Sequence, residues 1–170
     1  MNEIEKIFSP VLGTLAWGFR QTVGSCFFVE FGEPNIGTIG PLPVDESASE
    51  SQVIRRRRRK VVLHGEWTLL VKHCTWELLA WDTSATQDTN PPEMTPPFEA
   101  ASGQYLKSVE YDESNGSCVF MFDLGARLIT APGSECEPCW EQWTLNDVEE
   151  HYISLLNNGK IEVKVGNQTP

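Results

Sequence analysis

Apolar and polar residues alternate in short runs along most of this chain, and the runs are rich in β-branched and aromatic side chains. Residues 25–31, 60–63, 67–72, 75–81, 105–111, 117–123, 127–130 and 161–165 each read as a strand. So many short strands predict antiparallel sheet. Asn115-Gly116 stands between Val109-Glu110-Tyr111 and Val119-Phe120-Met121 and predicts a hairpin, since a tight primed turn needs positive φ at both central residues. Helical spacing is rarer. A C-terminal helix is predicted over 146–157: Asn146 caps it, acids fill its first turn, and Val148, Tyr152 and Leu155 share a face before Asn158-Gly159. Shorter helices are predicted over 2–8 and over 47–58, the latter opened by the capping-box pair Ser47 and Glu50. Gly, Pro and Ser crowd 34–50. Asn90-Pro91-Pro92 and Pro96-Pro97 deprive 83–97 of amide donors, so both stretches read as linkers without a central strand or helix interior. The tail 166–170 reads as frayed.

An internal echo organises the strands. Gly24-Ser25-Cys26-Phe27-Phe28-Val29-Glu30-Phe31-Gly32 returns as Gly116-Ser117-Cys118-Val119-Phe120-Met121-Phe122-Asp123-Leu124-Gly125, with one extra residue. Trp67-Thr68-Leu69-Leu70 then matches Ala126-Arg127-Leu128-Ile129, and Trp76-Glu77-Leu78 matches Trp143-Thr144-Leu145. From Gly32 to Trp76 is 44 residues, against 18 from Gly125 to Trp143, so the first copy carries an insertion at 34–60. The expected fold class is α+β, mainly antiparallel β with two or three short helices and an internally duplicated β-unit. One domain spans 1–170: unit 1 over about 12–82, unit 2 over about 103–145, the helix 146–157 and a strand at 161–165.

Composition supports a packed globule: 40% of residues are hydrophobic, and six tryptophans supply large core or interface side chains. The opening Met1-Asn2-Glu3-Ile4-Glu5-Lys6 has no basic flank or apolar run, which predicts a cytoplasmic chain with no membrane partner. Five cysteines, an odd number, fit reduced thiols better than a disulfide framework. The net charge is −11, yet Arg55, Arg56, Arg57, Arg58, Arg59 and Lys60 stand together, leaving seven basic residues against 24 acids elsewhere. Such a surface repels nucleic acid and favours a basic protein partner.

Residues 16–34 (AWGFRQTVGSCFFVEFGEP), 64–78 (HGEWTLLVKHCTWEL), 120–132 (FMFDLGARLITAP) and 141–145 (EQWTL) together resemble a family of small uncharacterised bacterial cytosolic proteins. The shared order is a Trp-Gly start, a Gly-Ser-led strand ending in Glu-Phe-Gly, an arginine-rich segment, Gly-Glu-Trp and Cys-x-Trp strands, and a closing Glu-x-Trp unit. No activity is established for that family. The resemblance implies a fold and a bacterial origin, and it carries over no catalytic residue.

Cys136-Glu137-Pro138-Cys139 has spacing that suits a zinc knuckle or a redox pair. Zinc needs two further ligands, and no second pair at ligand spacing exists among Cys26, Cys74, Cys118, His64, His73 and His151. A loop between strands whose thiols happen to lie close together is the simpler account of the motif. His73-Cys74 cannot act as base and nucleophile on a strand, where neighbours point to opposite faces. Glu30, Glu66, Glu77 and Asp123 are acids that a cleft can bring together. The run from Arg55 to Lys60 can bind phosphates, or pair with the chain's own Asp45, Glu46 and Glu50 across the 47–58 helix. With no phosphate loop or nucleophile elbow, enzyme status is disfavoured and no catalytic residue or cofactor is assigned. The expected function is a non-enzymatic bacterial cytosolic protein-binding domain, for which a toxin gene beside it would favour an immunity or antitoxin role by analogy. The alternatives are a nucleic-acid binder using Arg55 to Lys60 and a metal or redox protein using Cys136 and Cys139.

Overall fold

The computed structural model describes residues 2–166. Helix α1 (Glu3–Phe8) is followed by β1 (Leu15–Gln21), β2 (Phe27–Phe31) and β3 (Asn35–Ile39). Helix α2 (Glu50–Arg57) leads into β4 (Lys60–His64), β5 (Trp67–Val71), β6 (Thr75–Ala80) and β7 (Thr83–Thr86). After α3 (Pro91–Ala101) come β8 (Gln104–Asp112), β9 (Ser117–Phe122), β10 (Arg127–Ala131), β11 (Glu141–Asp147), β12 (His151–Leu156) and β13 (Ile161–Val165). The class is α+β and mainly antiparallel, as the short runs predict.

Eleven strands hydrogen-bond in the order β13-β12-β11-β5-β2-β1-β8-β9-β10-β6-β7, and β3 and β4 form a separate ribbon. β1-β2-β5 and β8-β9-β10 are two meanders joined through a short contact of Leu15 with Tyr105 and Ala16 with Gln104. Each meander sends its next hairpin to the outer edge of the other: β6-β7 lies beside β10, and β11-β12 beside β5. The inward side chains lock this exchange. Phe27 on β2 meets Trp76 on β6 at 4.7 Å between ring centroids, and Trp76 Nε1 donates to Ser25 O at 2.8 Å. Phe120 on β9 meets Trp143 on β11 at 6.4 Å, and Phe8 of α1 sits 5.2 Å from both rings. Phe8, Phe27, Phe120 and Trp143 have no exposed surface, and each buried Phe contributes roughly 1.5–3 kcal/mol.

Several expectations need correction. The stretch 146–157 is not a helix but the end of β11, a turn and β12. Asp147 decides this, because its carboxylate accepts from the backbone N–H groups of Glu149 and His151 at 2.9 and 3.0 Å, and Glu150 takes φ 61°. Beyond the turn, Leu155 pairs with Trp143 and Ser154 with Thr144, so burial in the sheet overrides the helical spacing. The prolines of 83–97 do not exclude regular structure. β7 occupies 83–86, and Pro91 and Pro92 open α3, where first-turn amides lack intrahelical partners anyway. Pro96 and Pro97 lie inside α3, and Pro97 packs with Met94, Phe98 and Ala101 on its buried face, which offsets their cost. The Asn115-Gly116 hairpin is a four-residue loop: Asp112 pairs with Ser117, only Gly116 has positive φ, and the Asp112 carboxylate accepts from Ser114 and Asn115. Helix α2 starts later than expected, capped by Ser49 and Gln52. Of the predicted frayed tail, 167–170 lie outside the described residues. Among the described residues no helix is long and apolar enough to cross a membrane.

Candidate functional site

The sheet is marked first by a bulge in β1. Regular pairing with β2 breaks between Trp17 and Arg20, where Gly18 takes φ 62°. The bulge aims Arg20 across β2: its guanidinium carbon lies 4.7 Å over the Phe28 ring, and Nη2 is 2.7 Å from Glu30 Oε1. Glu30 has no exposed surface. Its Oε2 accepts from Thr68 Oγ1 at 2.6 Å and from Gly65 N at 3.0 Å, so the buried charge is matched by a cation and two donors. A Cβ at Gly65 would collide with the Phe31 carbonyl, so the chain passes β2 there only as glycine. The Glu30 carboxylate thereby fixes where the chain re-enters the sheet after β4.

What leaves the sheet between Phe31 and Gly65 is an arm. Residues 35–64 contain β3, α2 and β4, and none of these thirty residues is buried. In the ribbon register Ile36 faces Leu63 and Thr38 faces Val61, which puts these four side chains on one face. Ile36 is 75% exposed, Val61 65% and Leu63 56%. Ile39, on the other ribbon face, and Leu42 and Ile54, outside the ribbon, are exposed as well. Helix α2 is tied to the 41–43 segment by one backbone bond, Leu42 N donating to Arg56 O at 2.8 Å, and one side-chain bond, Arg56 Nη1 donating to Pro43 O at 2.9 Å.

The basic run lies on this arm. Arg55, Arg56 and Arg57 form the last turn of α2, Arg58 is its extended C-cap, and Arg59 leads into Lys60 of β4. Among the described residues no carboxylate comes within ion-pair distance of any of the six, so they do not pair with Asp45, Glu46 or Glu50. Between 35 and 64 six basic residues stand against three acids, a net of +3, which leaves −14 on the rest of the chain.

At the root of the arm a cleft of about 440 Å³ opens between Trp17, Gly32, Glu33, Pro34, Glu66 and Tyr105. Trp17 Nε1 donates to Gly32 O at 2.8 Å, and Glu66 Oε2 accepts from Glu33 N at 3.1 Å. Asp123 adjoins it, accepting from Tyr105 N at 2.8 Å. Glu77 lies elsewhere, paired with Thr86 and Ile129 in the other half of the sheet, so the four acids do not share one cleft. The sequence pattern did not reveal the cleft. Its only early signal was the Trp17-Gly18 and Gly65-Glu66 pairs that also mark the bulge and the crossing point.

Cys136 and Cys139 fall in the β10–β11 loop, Cys136 half-buried and Cys139 exposed, and all five cysteines are free. Cys136 shares a cleft of about 370 Å³ with Cys74, Lys72 and Asp88. Burial, then the neighbouring Cys136, Cys26 and Cys118, push the Cys74 thiol far above its ordinary range, and burial pushes Cys118 up to about 11. A thiol so disfavoured as thiolate is a poor nucleophile and metal ligand. Cys74 instead donates to Gln142 O at 3.4 Å, while the His73 ring leans on Trp140 at 5.1 Å. Among the described residues the group whose ligand atoms converge is Asp147, Glu149 and His151, in the β11–β12 turn, without Cys136 or Cys139.

Scans against protein-family models, curated proteins and solved structures return no match.

Proposed function

We propose that the protein is a non-enzymatic protein-binding domain that holds its partner on the 35–64 arm. The observation supporting this is exposure: thirty residues without one buried, presenting Ile36, Val61 and Leu63 on a single ribbon face. An isolated two-stranded ribbon and an eight-residue helix are each marginal in water, so a surface that covers them also orders them. Apolar side chains at the centre of the patch favour a protein over a nucleic acid, whose phosphates offer them nothing. The cations beside them select a partner with an acidic rim, the reverse of the basic partner implied by net charge alone. Five free cysteines fit a reducing cytoplasm.

The experiment is a photo-reactive side chain placed at Val61, with a control at Lys107, which is exposed on β8. In cells the Val61 probe is expected to form a discrete protein adduct that the Lys107 probe does not. Equal labelling from both positions, or none from Val61, would remove the reading.

A further inference from the structure

We infer that the arm's partner is a second copy of this chain: each arm lies across the acidic cleft at the root of the other, around a two-fold axis. The inference rests on the arm being a protein-binding surface and adds its occupant. Charge selects that occupant. The arm carries +3 with six contiguous cations, and the remainder of the same chain carries −14. Packing arm against arm would bring twelve cations together, so exchange of arm onto body is the favourable arrangement. It also makes two equivalent contacts from one axis.

The cleft that would receive the arm has the matching chemistry. Glu33 and Glu66 line it, Asp123 stands at its edge, and Tyr105 (50% exposed) and Trp17 give it apolar walls for Ile36, Val61 and Leu63. Its place matters equally. Gly32, Glu33, Pro34 and Glu66 flank the point where the arm leaves and re-enters the sheet, so an axis near the root carries one arm over the other chain's cleft. The five-residue ribbon extends about 17 Å from the root.

The test is sedimentation velocity on the whole chain with charge-swapped variants. At about 50 µM protein and about 50 mM salt the wild type is expected at twice its 19.1 kDa mass, with affinity falling at least about tenfold at about 500 mM salt. An arm variant (Arg57→Glu, Arg58→Glu, Arg59→Glu) and a cleft variant (Glu33→Lys, Glu66→Lys) should each be monomeric. Mixing the two should restore a dimer, because acidic arm then meets basic cleft and basic arm meets acidic cleft. That rescue also shows both variants are folded, and Glu33→Lys alone keeps the Glu66 bond to the residue 33 amide as a milder check. A wild type that stays monomeric, a dimer that ignores both variants, or a mixture that fails to reassociate while both variants melt cooperatively would overturn the inference. Salt-sensitive binding of mixed-sequence DNA that disappears in the arm variant would overturn it in favour of nucleic acid. A monomeric wild type whose Val61 probe still captures another protein would sink the second copy alone and leave the binding surface standing.

Discussion

The Gly65 amide donates to the buried Glu30 carboxylate at 3.0 Å, joining residues 35 positions apart at the point where the arm begins and ends. The arm 35–64 can move or be covered without disturbing the sheet, because the closure is made in the sheet itself. Asn35 pairs with His64 just beyond, so the two stems are adjacent.

Glu30→Ala should therefore cost about 3 kcal/mol in urea denaturation, since it leaves Thr68 Oγ1 and the Gly65 amide without their acceptor in the buried interior and takes the anion from the half-exposed Arg20. Arg20→Ala should cost less, about 1 kcal/mol, because Thr68 and Gly65 still donate to Glu30 and removing the half-exposed Arg20 side chain lets water reach the carboxylate. Equal and small losses from both would mean the carboxylate does not hold the root.

The β11–β12 turn predicts a pH dependence. Hydrogen bonding and then charge from Asp147 raise His151 above its ordinary 6.5, with Glu149 3.8 Å away adding to the effect. Burial opposes ionisation of Asp147, but the His151 backbone N–H, the His151 ring and the Glu149 backbone N–H outweigh it, and the carboxyl lies below its ordinary 3.8. The raised imidazole contributes stability that is complete below 6.5 and lost as pH rises through its folded value; the depressed carboxyl contributes stability present above 3.8 and lost as pH falls. Tm should accordingly decline as pH rises above 6.5 in the wild type and decline less in His151→Gln. Superimposable profiles would show that the pair is inert.

The thiols should separate by exposure and not by motif. Timed alkylation followed by mass spectrometry should label Cys139 first, with Cys74 and Cys118 protected until the chain unfolds. Chain purified without added metal should hold less than one zinc. Stoichiometric zinc lost on Cys136→Ser or Cys139→Ser would establish a metal site there.

Strand order was legible only where the signal is local. The alternation in 105–111 and 117–123 marks β8 and β9, and Asn115-Gly116 marks their turn, because partners close in sequence share one pattern. β12 was misread because Tyr152, Leu155 and Leu156 satisfy helical spacing while the deciding bonds come from Asp147 and from β11 across the turn. β3 was hidden in a Gly- and Pro-rich stretch, and its residues Ile36 and Ile39 have no buried face to impose a period. The buried role of Glu30 was equally invisible, since its donors lie 35 and 38 positions away.

The echo of 24–32 in 116–125 supports a proposal of duplication, in which β1, β2, β5, β6 and β7 correspond to β8, β9, β10, β11 and β12. Exchanging these labels reverses the observed sheet order from β12 to β7 onto itself. Because β6 and β11 are traded between the meanders, fragments 1–101 and 102–170 should each be unfolded by circular dichroism and should refold on mixing. A fragment that melts cooperatively alone would show that the trade is dispensable.

The most direct measurement replaces residues 35–64 with a short Gly-Ser linker between Pro34 and Gly65. The shortened chain is expected to keep a cooperative melt with Tm within about 5 °C of the parent, since no buried residue is removed and the Glu30–Gly65 bond remains, while association is abolished. A shortened chain that no longer folds would show that the arm belongs to the core, and one that folds and associates as before would show that the arm binds nothing.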